Sequence, residues 1–118
     1  LYIGENLLSY TFLGHGITAD YTGPDSKTFR AFISFGKSDE EARSIAAQFD
    51  EKLTDSTDIT MPDGSAGKKG EMPYRGRALI VPYKSYAVGT LGHTDDDAAI
   101  SVISGVIDNM SSYTPNGE

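Results

Sequence analysis

FGKSDEEA, residues 35–42, returns as LGHTDDDA at residues 91–98. In each, an apolar residue and a glycine lead through a basic and a hydroxyl residue to three acids and an alanine. Whether these acids bind something or begin something decides the fold, and the residues downstream answer it. Ala42, Ile45, Ala46, Phe49 and Leu53 recur at the spacing of a helix with one buried stripe. Ala99, Val102, Ile103, Val106 and Met110 repeat that stripe 57 positions later. Ser38 followed three residues on by Glu41 has the spacing of a capping box, and Thr94 with Asp97 is a weaker version of it. Asp39, Glu40 and Glu41 then occupy a first turn, where the partial positive charge of the helix end favours carboxylates. A cap stabilises by about 1 kcal/mol. A calcium loop instead needs acids at alternate positions around a glycine, and neither cluster offers that. The acids read as helix starts. The two caps lie 56 residues apart while the stripes lie 57 apart, a slip of one residue.

Upstream of each helix the period falls to two. HGITADY, a turn at TGPDSK, and TFRAFISF form a hairpin that places Phe29, Ala31, Ile33 and Phe35 on the core face. Phe32 on the other face implies that the N-terminal segment covers it in part. RALIVPY, a tight turn at KS, and YAVGTLG repeat the hairpin. The expected fold is therefore α+β: two hairpin-helix (ββα) units, residues 15–53 and 77–111, in a mostly antiparallel sheet of about four strands with the helices on one face. Pseudo-twofold symmetry between the units follows. Residues 54–76 carry five glycines or prolines from Pro62 to Pro73 and read as a mobile surface loop. Ile3, Leu7 and Tyr10 predict a short N-terminal helix or arm ended by Gly14.

A chain of 118 residues is one domain by size, spanning 1–118. It has no cysteine, which removes disulfides and thiolate chemistry. A net charge of −7 and a pI near 4.6, with no basic run longer than Lys68-Lys69, argue against nucleic acid as a partner. No apolar run approaches the ~20 residues that span a bilayer. The chain opens on Leu1; removal of an export signal is the expected reason, with trimming of the sequence as the alternative.

Candidate chemistry is sparse. His15, between two glycines, with Asp20 nearby in sequence, forms the weak catalytic set of a small-enzyme reading that also draws on residues 62–76. Nucleophilic catalysis would need a G-x-S-x-G elbow or its equivalent, and none is present. His93 stands where Lys37 stands in the first unit, which predicts a solvated, positional role. GSAGKKG, residues 64–70, lacks the Ser or Thr that a phosphate loop places after its lysine and reads as flexible loop. Neither a metal site nor a cofactor is expected. Tyr74, Arg75, Arg77, Tyr83 and Tyr86 form the candidate surface for a ligand or partner, since tyrosine and arginine are enriched where proteins dock.

YIGENLLSYTFLG, TFRAFISFGKSDEEA and YRGRALIVPYKSYAVGTLG together resemble a family of uncharacterised exported bacterial proteins. The resemblance rests on Tyr2, Ile3, Gly4, Leu8, Tyr10 and Phe12, and on residues 35–42; Glu5 and Asn6 stand where that family has small residues. It implies a periplasmic or extracellular location and no assigned activity, although the composition alone fits the cytoplasm equally well. The leading functional expectation is a non-catalytic exported module that recognises a protein or small ligand. The alternatives are the small enzyme and a self-assembling subunit, that is, a homo-oligomer.

Overall fold

The second strands of the two hairpins meet at the centre of one antiparallel sheet. In the computed structural model, which describes residues 2–3, 14, 16–23, 27–62, 64–73, 76–93 and 95–112, the elements follow in the order β1 (Tyr2–Ile3), β2 (Gly16–Thr22), β3 (Thr28–Phe35), α1 (Asp39–Glu51), β4 (Thr54–Thr60), β5 (Ala66–Met72), β6 (Gly76–Tyr83), β7 (Tyr86–His93) and α2 (Asp96–Ser112). The sheet runs β1-β2-β3-β7-β6-β5-β4. The class is α+β as expected, and both hairpins and both helices stand where the periodicities place them. Among the described residues, however, the sheet has seven strands rather than about four. Tyr2 and Ile3 pair with Ile17 and Gly16 as a strand, and the rest of the expected N-terminal helix, through Leu13, lies outside the described residues.

The three extra strands include the largest correction. The expected loop 54–76 is a hairpin, β4 paired with β5, and it extends the sheet on its β6 side. β4, TDSTDIT, is the edge strand and is almost wholly exposed. A strand with no buried face needs no alternation, so the period-of-two signal is missing from it. GSAGKKG likewise lies mostly within β5.

The helices lie on opposite faces, not on one. Ala78 and Ile80 of β6 pack with Ile45, Ala46 and Phe49 of α1, whereas Leu79 and Val81 pack with Ala99, Ile103 and Ile107 of α2. Neighbouring strand residues point to opposite faces, so the sheet is sandwiched. Phe32 is covered by α1, its ring centroid 5.4 Å from that of Phe49; residues 4–13 of the expected covering segment lie outside the described residues. On α2 the buried line runs Ala99, Ile103, Ile107, with Val102 and Val106 only half-buried, a rotation from the predicted stripe.

One residue accounts for the change of face. Arg77 pairs with His93 but Ala78 pairs with Leu91, so Gly92 is an extra residue in β7, and its φ of 87° is the left-handed conformation such a bulge uses. A single added residue exchanges the faces for everything after it. Gly36, the equivalent glycine, instead follows the last residue of β3. β3 and β7 are antiparallel neighbours, so a rotation that superimposed the two units would put both helices on the same side. The predicted twofold is therefore absent.

The helix starts confirm the capping reading, with one shift. Ser38 Oγ accepts from the Glu41 amide at 3.1 Å, and Glu41 Oε1 accepts from the Lys37 amide at 3.1 Å. In the second helix Asp95 is the cap: its side chain accepts from the Asp97 amide at 3.0 Å and its carbonyl from the Ala99 amide. Thr94, the expected cap, is outside the described residues. Ser38 and Asp95 are 57 apart, in phase with the stripes. The slip lies between strand and cap, where the bulge is.

Candidate functional site

α1 lies across β6 and β7 and reaches only the near side of β5. β4 and the outer part of β5 carry the sheet on past the helix, leaving a trough of about 710 Å³ with α1 as its wall and the sheet as its floor. Its depth comes from small residues. Ala46 and Ala47 on the wall and Ala66 on the floor leave the space that larger side chains would fill, and Ile80 and Pro82 complete an apolar strip. The rim is charged. Asp50 and Glu51, in the last turn of α1, face Asp58 and Lys68 of the hairpin, while Arg43 stands toward the start of the helix. Asp58 is ion-paired with Lys68, and this hydrogen bond and charge hold the lysine's pKa above its ordinary value. Asp50 accepts a hydrogen bond from Ser56. A concave, mostly apolar seat of this volume with a few polar groups at its edge is the usual form of a ligand site.

A second, smaller cavity of about 120 Å³ lies on the α2 side of the sheet, against the first turn of that helix. The bulge at Gly92 turns His93 to this side. The imidazole is 2 % exposed rather than solvated. Its Nδ1 is 3.1 Å from Thr90 Oγ1 and its Nε2 is 3.1 Å from Asp96 Oδ1. Lys69 Nζ and Arg77 Nη1 each reach Asp96 at 3.4 Å. Burial opposes ionisation of Asp96, but hydrogen bonds from Lys69 and His93 and the lysine charge outweigh it, so the carboxyl titrates below its usual range. Burial holds His93 below the usual histidine value of 6.5, against the pull of Asp96. With His93 neutral and Asp96 an acceptor only, Nε2 carries the proton and Nδ1 accepts from the Thr90 hydroxyl.

Hydroxyl, imidazole and carboxylate in a row is also the order of a nucleophilic triad. Here Thr90 is 0 % exposed and cannot meet a substrate. The row ties β7 to the first turn of α2, and every member is satisfied. This structural role sets a pH dependence. A histidine depressed below its unfolded value stabilises the fold above about pH 6.5 and loses that contribution as the pH falls. His93→Gln should cost about 1–3 kcal/mol at pH 7.5. The gap between wild type and variant in urea midpoint should narrow between pH 7 and pH 5. A gap that widens in acid would mean that Asp96 stabilises an imidazolium, contrary to this account.

Of the sequence-predicted site residues, Asp20, Arg77, Tyr83 and Tyr86 are among those described. His15, Tyr74 and Arg75 lie outside the described residues. Asp20 is exposed on β2 and ion-paired with Arg30 at 3.1 Å. Arg77 is at the start of β6 beside Asp96, whereas Tyr83 and Tyr86 flank the turn at its other end, roughly 20 Å away at 3.3 Å per residue. Those tyrosines are half-buried and pack with the α2 cluster, Tyr86 edge-on to Phe35 at 5.8 Å. They close the end of the core and do not form one surface with Arg77. Ala66, Gly67 and Lys68 of the trough fall within residues 62–76, which the small-enzyme reading drew on, but no trough residue was singled out by itself. The available signal was the pair of alanines at 46 and 47, between the large buried residues Ile45 and Phe49 of the same helix.

Among the described residues no group of three or more His, Asp or Glu is arranged to hold a metal ion. Among the described residues no helix is long and apolar enough to cross a membrane. No family model, no curated protein and no solved structure matches the chain.

Proposed function

We propose that the protein is a non-catalytic binding module whose ligand lies in the trough between α1 and the β4–β5 hairpin. One observation carries the reading: β4 and the outer part of β5 continue the sheet beyond the helix that covers it, and the trough left open there has the small side chains of Ala46, Ala47 and Ala66 between its charged ends. A fold that needed only stability would cover that strip with larger side chains, since each buried methylene contributes about 0.8 kcal/mol. The exported location implied by the resemblance at residues 2–12 and 35–42 belongs to the same proposal.

The test fills the space. Ala47 is exposed on α1, so Ala47→Trp should change stability by no more than about 0.5 kcal/mol. A library of small amphiphilic fragments, followed by methyl and amide shifts in NMR, should perturb Ala46, Ala47, Ala66 and Ile80 in the wild type and leave them unmoved in the variant. Fragments that cluster elsewhere, or that bind both proteins alike, would refute the assignment.

A further inference from the structure

Resting on that reading, we infer that the trough takes a linear ligand with a cation at one end, an apolar middle and an anion at the other, of which a short basic-ended peptide is the simplest example. Charge and length both lead there. Asp50 and Glu51 stand in the last turn of α1, and Ser56 at the start of the hairpin bonds Asp50. The chain reverses between them, so this is the end of the trough where β4 begins. Asp58 faces the same end, where its charge is offset by Lys68, leaving Asp50 and Glu51 in excess. The other end is fixed by the bond from the Gly36 amide to the Ser85 carbonyl at 2.7 Å, which seats the start of α1 by the β6–β7 turn. Arg43 belongs to that end, beside Pro82, and makes no ion pair among the described residues.

Acidic and basic ends are thus separated along α1 by Ala46 and Ala47. From Arg43 to Glu51 the helix advances about 12 Å at 1.5 Å per residue. An extended peptide covers that distance in about four residues. A ligand with like charges at both ends would meet repulsion at one of them, and a wholly apolar one would leave the rim unused. The ligand's cation belongs against Asp50 and Glu51, and its carboxylate against Arg43. Exposed charge pairs contribute little singly, so the apolar strip supplies affinity while the rim sets direction.

The probe is acetyl-Lys-Leu-Ala-Leu with a free carboxylate, compared with acetyl-Glu-Leu-Ala-Leu, by calorimetry at low salt and by NMR shifts. The lysine peptide should bind at least tenfold more tightly. Asp50→Asn with Glu51→Gln should bring that ratio close to one, whereas Asp97→Asn with Asp108→Asn, two exposed positions on α2, should leave it unchanged. Arg43→Gln should weaken both peptides by a similar factor. Equal affinities in the wild type, or a ratio that responds as much to the α2 pair, would overturn the ligand class. If neither peptide binds while fragments still shift Ala46 and Ile80, the ligand class falls and the binding module stands. If nothing shifts the trough, both fall.

Discussion

Phe49→Ala is expected to remove about 3–5 kcal/mol of stability, the cost of emptying a fully buried aromatic site. Phe49 is 0 % exposed and projects from α1 into the cluster of Phe32, Met72, Ala78, Ile80, Ala87 and Leu91. Its partners come from four strands and are held on rigid backbone, so the cavity cannot collapse cheaply. The tilted pairing with Phe32 adds its own loss. For a chain of this size the melting temperature should fall by about 4 °C for each kcal/mol. Gln48→Ala, one residue away on the exposed side of the same helix, should change stability by no more than about 0.5 kcal/mol. Thermal and urea unfolding of the two variants check this. A Phe49→Ala protein within 1 kcal/mol of wild type would mean that α1 does not seat on this face.

Gly89→Ala is expected to cost about 3 kcal/mol, at the upper end of what overpacking does. Gly89 is mid-strand in β7, between β3 and β6. A methyl group there would press on the Leu79 carbonyl oxygen and lie 2.5 Å from Phe32 Cζ. The Phe32 ring thus occupies the space that a side chain at 89 would take. The two clashes differ in how far they yield. A ring can be replaced, but a carbonyl held between two strands moves only with its strand. Phe32→Leu added to Gly89→Ala should therefore recover only part of the loss. Complete recovery would place the strain in the ring alone, and no loss at all would contradict the close approach of β6 and β7.

Much of this was legible in the residues. The helices, their acidic starts and the four long strands of the two hairpins follow from changes of period around Gly36 and Gly92. The continuous apolar run Ala78–Val81 also held the signal of a strand covered on both faces; all four residues are 0 % exposed. Two things were harder to see. The β4–β5 hairpin buries little, so its polar and glycine-rich sequence resembles a loop, and its strands are specified by the pairing of β5 with β6 and of β4 with β5 rather than by their own pattern. The face of α2 depends on whether Gly92 ends a strand or bulges within it, and one glycine in sequence looks like another. His93 was misplaced for the same reason: the bulge turns it inward to Thr90 and Asp96. The trough is a consequence of the first, since it exists only because the hairpin extends the sheet where α1 does not follow.

The division of the core into two faces is tested most directly by contacts between methyl and aromatic protons in a NOESY spectrum. Phe49 should show cross-peaks to Ala78, Ile80 and Ala87, and Ile103 to Leu79, Val81 or Val88, with none joining Phe49 to Ile103. Cross-peaks between the two helices, or both helices meeting the same residues of β6, would place them on one side of the sheet and remove the trough with it.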